Sequence, residues 1–380
     1  MKKLLATACA LLFLSGSLIL VGALPARAAD PVPVILTERP HMGLDGTFYD
    51  DQLATLLLPS QRLGQLVFTP SRINKVWYID AALLDQVAAM VDGYSVRVTG
   101  KSGELVSGTG MNVAMSWLSA LKQVTQMNPV LALPYGAPAT HWLEQLAPNE
   151  LHFYEANSQL KVGFYVGKYV DVTPSFPGEK TPRIPGETQD TYNFIRKNLK
   201  GYLKVVDIQD TNPYRLGIAQ LTNPALNYDD SIRLSRAFLN DFQVFNKRLR
   251  IVVGKYTITS EREKIPMTIV NGFNKDVTVS VVVSPLNGKV TVSPIRDVTI
   301  PAQSKLIVPI KLHIIASGNS TLFVQLKSAD GTSVGNPVSL PLRLSVISPI
   351  ATWITTISAI VLLIAGVVQS VRRVKKKKHE

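Results

Sequence analysis

The sequence predicts an α/β region with a mostly parallel sheet, open or partly closed into a barrel. An all-β immunoglobulin-like sandwich and one transmembrane helix follow. Three observations carry this prediction. Between residues 31 and 245, short β-branched runs alternate with stretches of helical period, as in strand–crossover–strand units. From residue 250 the text is β-branched runs punctuated by turns, and residues 350–371 are uncharged and mostly apolar.

The first residues fix the compartment. Met1-Lys2-Lys3 is a cationic start, residues 4–21 are apolar, and Ala26-Arg27-Ala28 offers the small-x-small pattern of a cleavage site. A signal peptide over residues 1–28 is the expectation; Pro25 and the Ala-x-Ala pattern favour it over an uncleaved anchor. The one cysteine, Cys9, lies inside that segment, so the mature chain would carry no disulfide, thiolate nucleophile or Cys-ligated zinc.

In the α/β region, residues 29–249, a strand is expected at 75–79 and a helix at 81–91. A second helix, 113–124, puts Trp117, Leu118 and Leu121 on one face. Residues 130–133 read as a buried strand, 139–146 as a helix and 160–172 as extended chain. Pro174, Pro177, Gly178, Pro182 and Pro185 demand a loop. Tyr192, Ile195, Leu199 and Tyr202 then recur at helical spacing, with Gly201 as a C-cap. Residues 205–208 read as a strand, and Asp229, Asp230 and Ser231 as the cap of a helix carrying Ile232, Phe238, Phe242 and Phe245.

The sandwich, residues 250–348, is announced by runs such as Met267-Thr268-Ile269, Val277 to Val281 and Leu322 to Leu326, separated by Asn271-Gly272, Asn287-Gly288 and Asp330-Gly331. It lacks the Cys pair and core Trp of antibody domains, so the architecture alone is implied. Pro266, Pro309 and Pro341 suit edge positions or bulges. Placed directly before the membrane helix, this region reads as a spacer or partner-binding module.

Residues 350–371 match one hydrocarbon core in length, and the basic tail 372–380 stays in the cytoplasm by the positive-inside rule. The net charge of +13 gathers largely at the ends, in Lys2, Lys3, Arg27 and the tail, so no nucleic-acid partner is expected. The partner the tail does imply is membrane lipid.

In parallel α/β regions ligands bind at the C-terminal ends of strands. Asp80, Tyr135 (in Pro134-Tyr135-Gly136) and Asp171 stand at expected strand ends and are the candidate ligand-binding residues. Asp207 lies in a further expected strand, and capping of the following helix competes as a role for Asp80. No catalytic residue is singled out. His41, His141, His152, His313 and His379 form no metal-binding spacing, and no Gly-x-Ser-x-Gly elbow or phosphate loop occurs, so no metal or cofactor is expected. Ser119-x-x-Lys122, Ser317-Gly-Asn319 and Lys101-Ser-Gly103 echo penicillin-binding elements but stand in the wrong order. Asn319-Ser320-Thr321 is a formal glycosylation sequon without supporting context.

Residues 77–85 (WYIDAALLD), 133–138 (LPYGAP) and 265–272 (IPMTIVNG), with the terminal helix and basic tail, resemble an uncharacterised family of actinobacterial cell-envelope proteins over residues 69–378. The resemblance implies a signal peptide, an α/β domain, an immunoglobulin-like domain, a C-terminal anchor and a role near cell-wall precursor export. It implies no established reaction. Members of that family are longer at the N-terminus, with a further β domain, and carry acidic residues about the Pro-Tyr turn where this chain has Ala137 and Ala139. The expected function is that of a membrane-anchored extracytoplasmic envelope protein, a non-catalytic binding or scaffolding module for a cell-wall glycan or an envelope protein. The alternative is a carbohydrate-active hydrolase or deacetylase-like enzyme using Asp80, Tyr135 and a second carboxylate.

Overall fold

The structure, a computed structural model, describes residues 30–70, 73–98, 100, 103–345 and 349–376. The expected signal peptide, Lys101 and the last four residues of the basic tail lie outside the described residues.

The first region runs β1 (Val32–Leu36), α1 (Gln52–Leu56), α2 (Arg62–Phe68), β2 (Lys75–Asp80), α3 (Ala81–Val91), the hairpin β3 (Ser95–Arg97) and β4 (Leu105–Ser107), and α4 (Met111–Thr125). It continues with β5 (Val130–Leu133), α5 (Thr140–Leu146), a 3-10 turn (Pro148–Glu150), α6 (Leu151–Val166), β6 (Asp171–Val172), α7 (Gly186–Tyr202), α8 (Ile208–Gly217), a second 3-10 turn (Ile218–Thr222) and α9 (Tyr228–Asn246). Strands β1, β2, β5 and β6 form one parallel sheet whose spatial order equals chain order. Each crossover therefore advances the sheet by one strand, the winding of a barrel, but the sheet is open with β1 and β6 at its edges.

Four local expectations are corrected. Residues 160–166 belong to helix α6, because Tyr154, Ser158, Val162 and Val166 recur every fourth residue and are buried together. The aromatic run Phe164-Tyr165 imitated a strand, and the helix stops only at Gly167, whose φ of 73° no other residue adopts cheaply. Residues 205–207 form a turn, not a strand, and Asp207 at its end caps α8, which begins at Ile208, through Gln209 N at 3.1 Å. Gly201 is not a cap but lies inside α7: a Cβ there would stand 2.0 Å from the Ser333 carbonyl oxygen. Asn227, not Asp229, caps α9, accepting from Asp230 N at 2.8 Å.

The second region is all β. β7 (Leu249–Val252), β8 (Tyr256–Ile258), β9 (Arg262–Asn271), β10 (Val277–Pro285), β11 (Val290–Val292), β12 (Ile295–Ile300), β13 (Ser304–Ile314), β14 (Gly318–Lys327) and β15 (Ser333–Leu344) form two sheets, ordered β12-β10-β14-β15-β8 and β11-β13-β9-β7. The first stretch changes sheets: β7 pairs antiparallel with β9, and β8 pairs parallel with β15. Ile265, Met267 and Ile269, then Ile310, Leu312 and Ile314, then Leu322, Val324 and Leu326 are buried at every second position, as a pleat with one covered face requires. Pro266 and Pro309 lie in inner strands and face each other in register. The pairing of β7 stops at Thr268 and that of β11 at Leu312, so each proline borders a locally unpaired side where no amide donor is needed.

The two regions share a core. Tyr202 on α7 packs edge-on against Phe245 at 5.0 Å and meets Phe273 of the β region at 6.2 Å, while its hydroxyl donates to Asn246. Arg248 bridges to Asp210 at 2.9 Å and lies 4.1 Å over the Phe273 ring; Lys275 pairs with Asp207. Beyond the sheets, α10 (Pro349–Lys376) carries an apolar window, Trp353–Ser370, none of which is buried. Among the described residues it is the one helix long and apolar enough to cross a membrane. Its 28 residues extend about 42 Å, more than a hydrocarbon core of roughly 30 Å, so its last turns, from Arg372, reach past that thickness.

Candidate functional site

Strand β2 ends in Asp80, and its carboxylate accepts from Ala82 N at 2.9 Å, capping α3, and from Gly136 N at 2.8 Å. The second bond comes from the turn after β5, where Gly136 and Ala137 both have positive φ, 81° and 42°. A Cβ on Gly136 would stand 2.9 Å from the Gln220 backbone nitrogen, so glycine is required. The 3-10 turn Ile218–Thr222, buried along its length, sits over these strand ends. Asn223 fastens it there by donating to Thr37 Oγ1 at 3.0 Å and to the Gly136 carbonyl at 2.9 Å. Asp80 is therefore 1% exposed, and burial raises its carboxyl to about 7 despite the two amide bonds.

Polar chemistry that reaches solvent lies five residues further along α3. Asp85 accepts from Tyr135 Oη at 2.9 Å and Tyr165 Oη at 3.0 Å, and pairs with Lys161 Nζ at 2.9 Å. Lys161 and Tyr165 are one turn apart on α6 and so share a face. Burial, and then the Asp85 charge, push the Tyr135 phenol well up, so it stays a donor.

Asp85, Tyr135 and Lys161 line a cleft of about 610 Å³. Its opposite wall is the segment 42–46, with Asn212, Pro213 and Gln220 from α8 and the turn after it. That segment is held from behind: His41 N donates to Gln86 Oε1 at 2.7 Å, His41 Nδ1 meets Asp50 at 2.6 Å, and Leu44 N donates to Asp241 at 3.0 Å. Asp241 is itself clamped by Arg97 at 2.8 Å, which also pairs with Asp45 at 2.8 Å. Asn212 Oδ1 is buried and, among the described residues, has no hydrogen-bond partner.

Of the sequence-predicted site residues, Asp80 and Tyr135 come together around the β5 turn, Asp80 beneath it and Tyr135 facing the cleft. Asp171 does not join them. It opens β6 level with Leu131, short of the strand ends marked by the Asp80–Leu133 pair, and its side chain is exposed. Sequence reasoning missed Lys161 and Tyr165, whose four-residue spacing is the signal that a helical reading of 160–166 exposes. Among the described residues no three His, Cys, Asp or Glu side chains gather to hold a metal ion.

Residues 248–378 match a family of unknown function (DUF6049). No curated protein matches the chain. Similar solved structures include WR4, an MSP family member of C. elegans, at 12% identity, covering 26% of this chain and 97% of that one with a TM-score of 0.21. The PapD-like domain 7 of human CEP192 is similar at 14% identity, 27% and 86% coverage and a TM-score of 0.21. A FixG-related protein from Vibrio parahaemolyticus is similar at 12% identity, 25% and 92% coverage and a TM-score of 0.20.

Proposed function

We propose that this chain is a single-pass membrane protein that holds its α/β region and immunoglobulin-like sandwich outside the cytoplasm and binds a cell-wall glycan in the cleft beside Asp85. The observation that carries the reading is a cleft of about 610 Å³ that presents a carboxylate, a phenol and an ammonium side by side, from Asp85, Tyr135 and Lys161. Sugar hydroxyls both donate and accept hydrogen bonds, so such a mixed set of polar groups suits them. Asn157, Gln209 and Gln220 add neutral donors and acceptors, and Ala89, Pro213 and Leu216 add apolar surface for the C–H faces of a pyranose. Binding without chemistry is favoured because the carboxyl best suited to proton donation, Asp80, is sealed beneath the 3-10 turn as a helix cap, while Asp85 and Asp45 are tied to Lys161 and Arg97. The unburied α10 supports anchorage, with the basic tail inside.

Two measurements test this. Calorimetric titration of the full chain in detergent with soluble wall-glycan fragments should show saturable binding, weakened about tenfold or more in Lys161→Ala, which loses a charge-assisted contact. Absence of binding overturns the glycan reading, and release of cleaved or deacetylated product establishes the enzyme instead. Protease added to intact cells should remove residues 30–345 and spare the tail; survival of that bulk overturns the topology.

A further inference from the structure

A second concave surface lies away from the cleft, between α7, α8 and the turn preceding α6. We propose that it binds a phosphate or pyrophosphate group carried on an apolar body. On α7, Asn193, Arg196, Lys197 and Lys200 fall at i, i+3, i+4 and i+7, a single helical face, and Arg215 of α8 stands opposite. Together they line a pocket of about 550 Å³ that also contains Glu150.

Four cations there face one carboxylate, and that carboxylate serves only the two arginines. Arg215 Nε donates to Glu150 at 2.8 Å, and Arg196 Nε lies 3.8 Å from its other oxygen, too far for a hydrogen bond. Arg196 Nε is buried and, among the described residues, makes no hydrogen bond. Lys197 and Lys200 have no ion-pair or hydrogen-bond partner among the described residues. A helix face of this kind is ordinarily a solvated stripe, where cations spread apart into water. Here the surface is concave, and both guanidiniums are preorganised: Arg196 Nη1 donates to the Leu146 carbonyl at 3.1 Å, and Arg215 stacks 3.5 Å over Phe153. The excess of positive charge exceeds what one carboxylate would neutralise, and donors on two helices suit a tetrahedral group with several acceptor oxygens. Tyr154, Leu199 and Ile218 provide a buried apolar floor, which an attached hydrocarbon or sugar body would cover.

The experiment uses the full chain in detergent with inorganic pyrophosphate as probe, followed calorimetrically. Saturable binding is expected, with Lys197→Gln/Lys200→Gln losing tenfold or more in affinity; both lysines are exposed, so folding is retained. The control Lys264→Gln/Lys311→Gln, on the β-region surface, should bind as the parent does. No pyrophosphate binding, or equal loss in both double variants, overturns the site. Soluble-phosphate and lipid sources are then separated with chain reconstituted in phosphatidylcholine nanodiscs. Competition of pyrophosphate by phosphatidylglycerol in the discs assigns a lipid headgroup, and its absence assigns a soluble phosphate ester. Neither outcome depends on the glycan cleft.

Discussion

At the residue scale the structure separates two carboxylates that the sequence sets five positions apart. Asp80 is buried and its carboxyl stands at about 7, above the 3.8 of the unfolded chain. Below about pH 4 it is neutral in both states, and between about 4 and 7 the unfolded chain alone is ionised. The stability contributed by the raised value is therefore complete at low pH and is lost as pH rises to about 7, amounting to a few kcal/mol. Asp80→Asn keeps an acceptor for Ala82 N and Gly136 N but cannot ionise, so its melting temperature should change less across that window than the parent's. A parallel pH dependence in the variant would show that Asp80 does not titrate there. Asp85→Ala has a different consequence: it strands the Tyr135 and Tyr165 hydroxyls and the Lys161 charge together, and should cost about 2–4 kcal/mol in chemical denaturation. Asp80 was readable from the sequence because it follows a strand and begins a helix. The partners of Asp85 were not, because they arrive from α6 and from a turn more than forty residues away.

At the element scale, period was a better guide than composition. The strands β2 and β5 and the helices α3 and α4 follow directly from their runs of apolar residues, which face one core. The last turns of α6 escaped because β-branched and aromatic residues favour strands locally, whereas burial every fourth residue decides the outcome. Gly201 shows the same limit: a glycine near a helix end suggests a cap, but its cause is the Ser333 backbone of β15 crossing close by, a contact 132 residues distant in sequence and invisible to local pattern. Gly201→Val should therefore destabilise the protein by several kcal/mol, far beyond the loss expected for a capping glycine, since backbone rather than a flexible side chain must move. Thermal denaturation of the variant reads this directly; a change under about 1 kcal/mol would mean that α7 and β15 do not meet as described.

At the scale of the whole molecule, the α/β and β regions are joined by a packed interface as well as by the chain. Phe273, 1% exposed, is the β region's contribution to an aromatic group with Tyr202 and Phe245, 6.2 and 5.4 Å away. Truncating a buried Phe costs about 3–5 kcal/mol, and here the loss falls on the contacts that couple the two regions. The tryptophans give a selective probe: Trp77, Trp117 and Trp142 lie in the α/β region, Trp353 in α10, and the nine β strands from β7 onward contain none. In the parent protein, denaturant transitions followed by tryptophan fluorescence and by the β-sheet circular dichroism signal should coincide, as for a single cooperative unit. In Phe273→Ala the two should part, the fluorescence transition reporting the α/β region alone while the sandwich, whose alternating core is intact, unfolds on its own curve. Coincident but shifted transitions would mean that the polar links, Arg248 to Asp210 and Lys275 to Asp207, carry the coupling; combining Phe273→Ala with Asp210→Asn would then separate the curves.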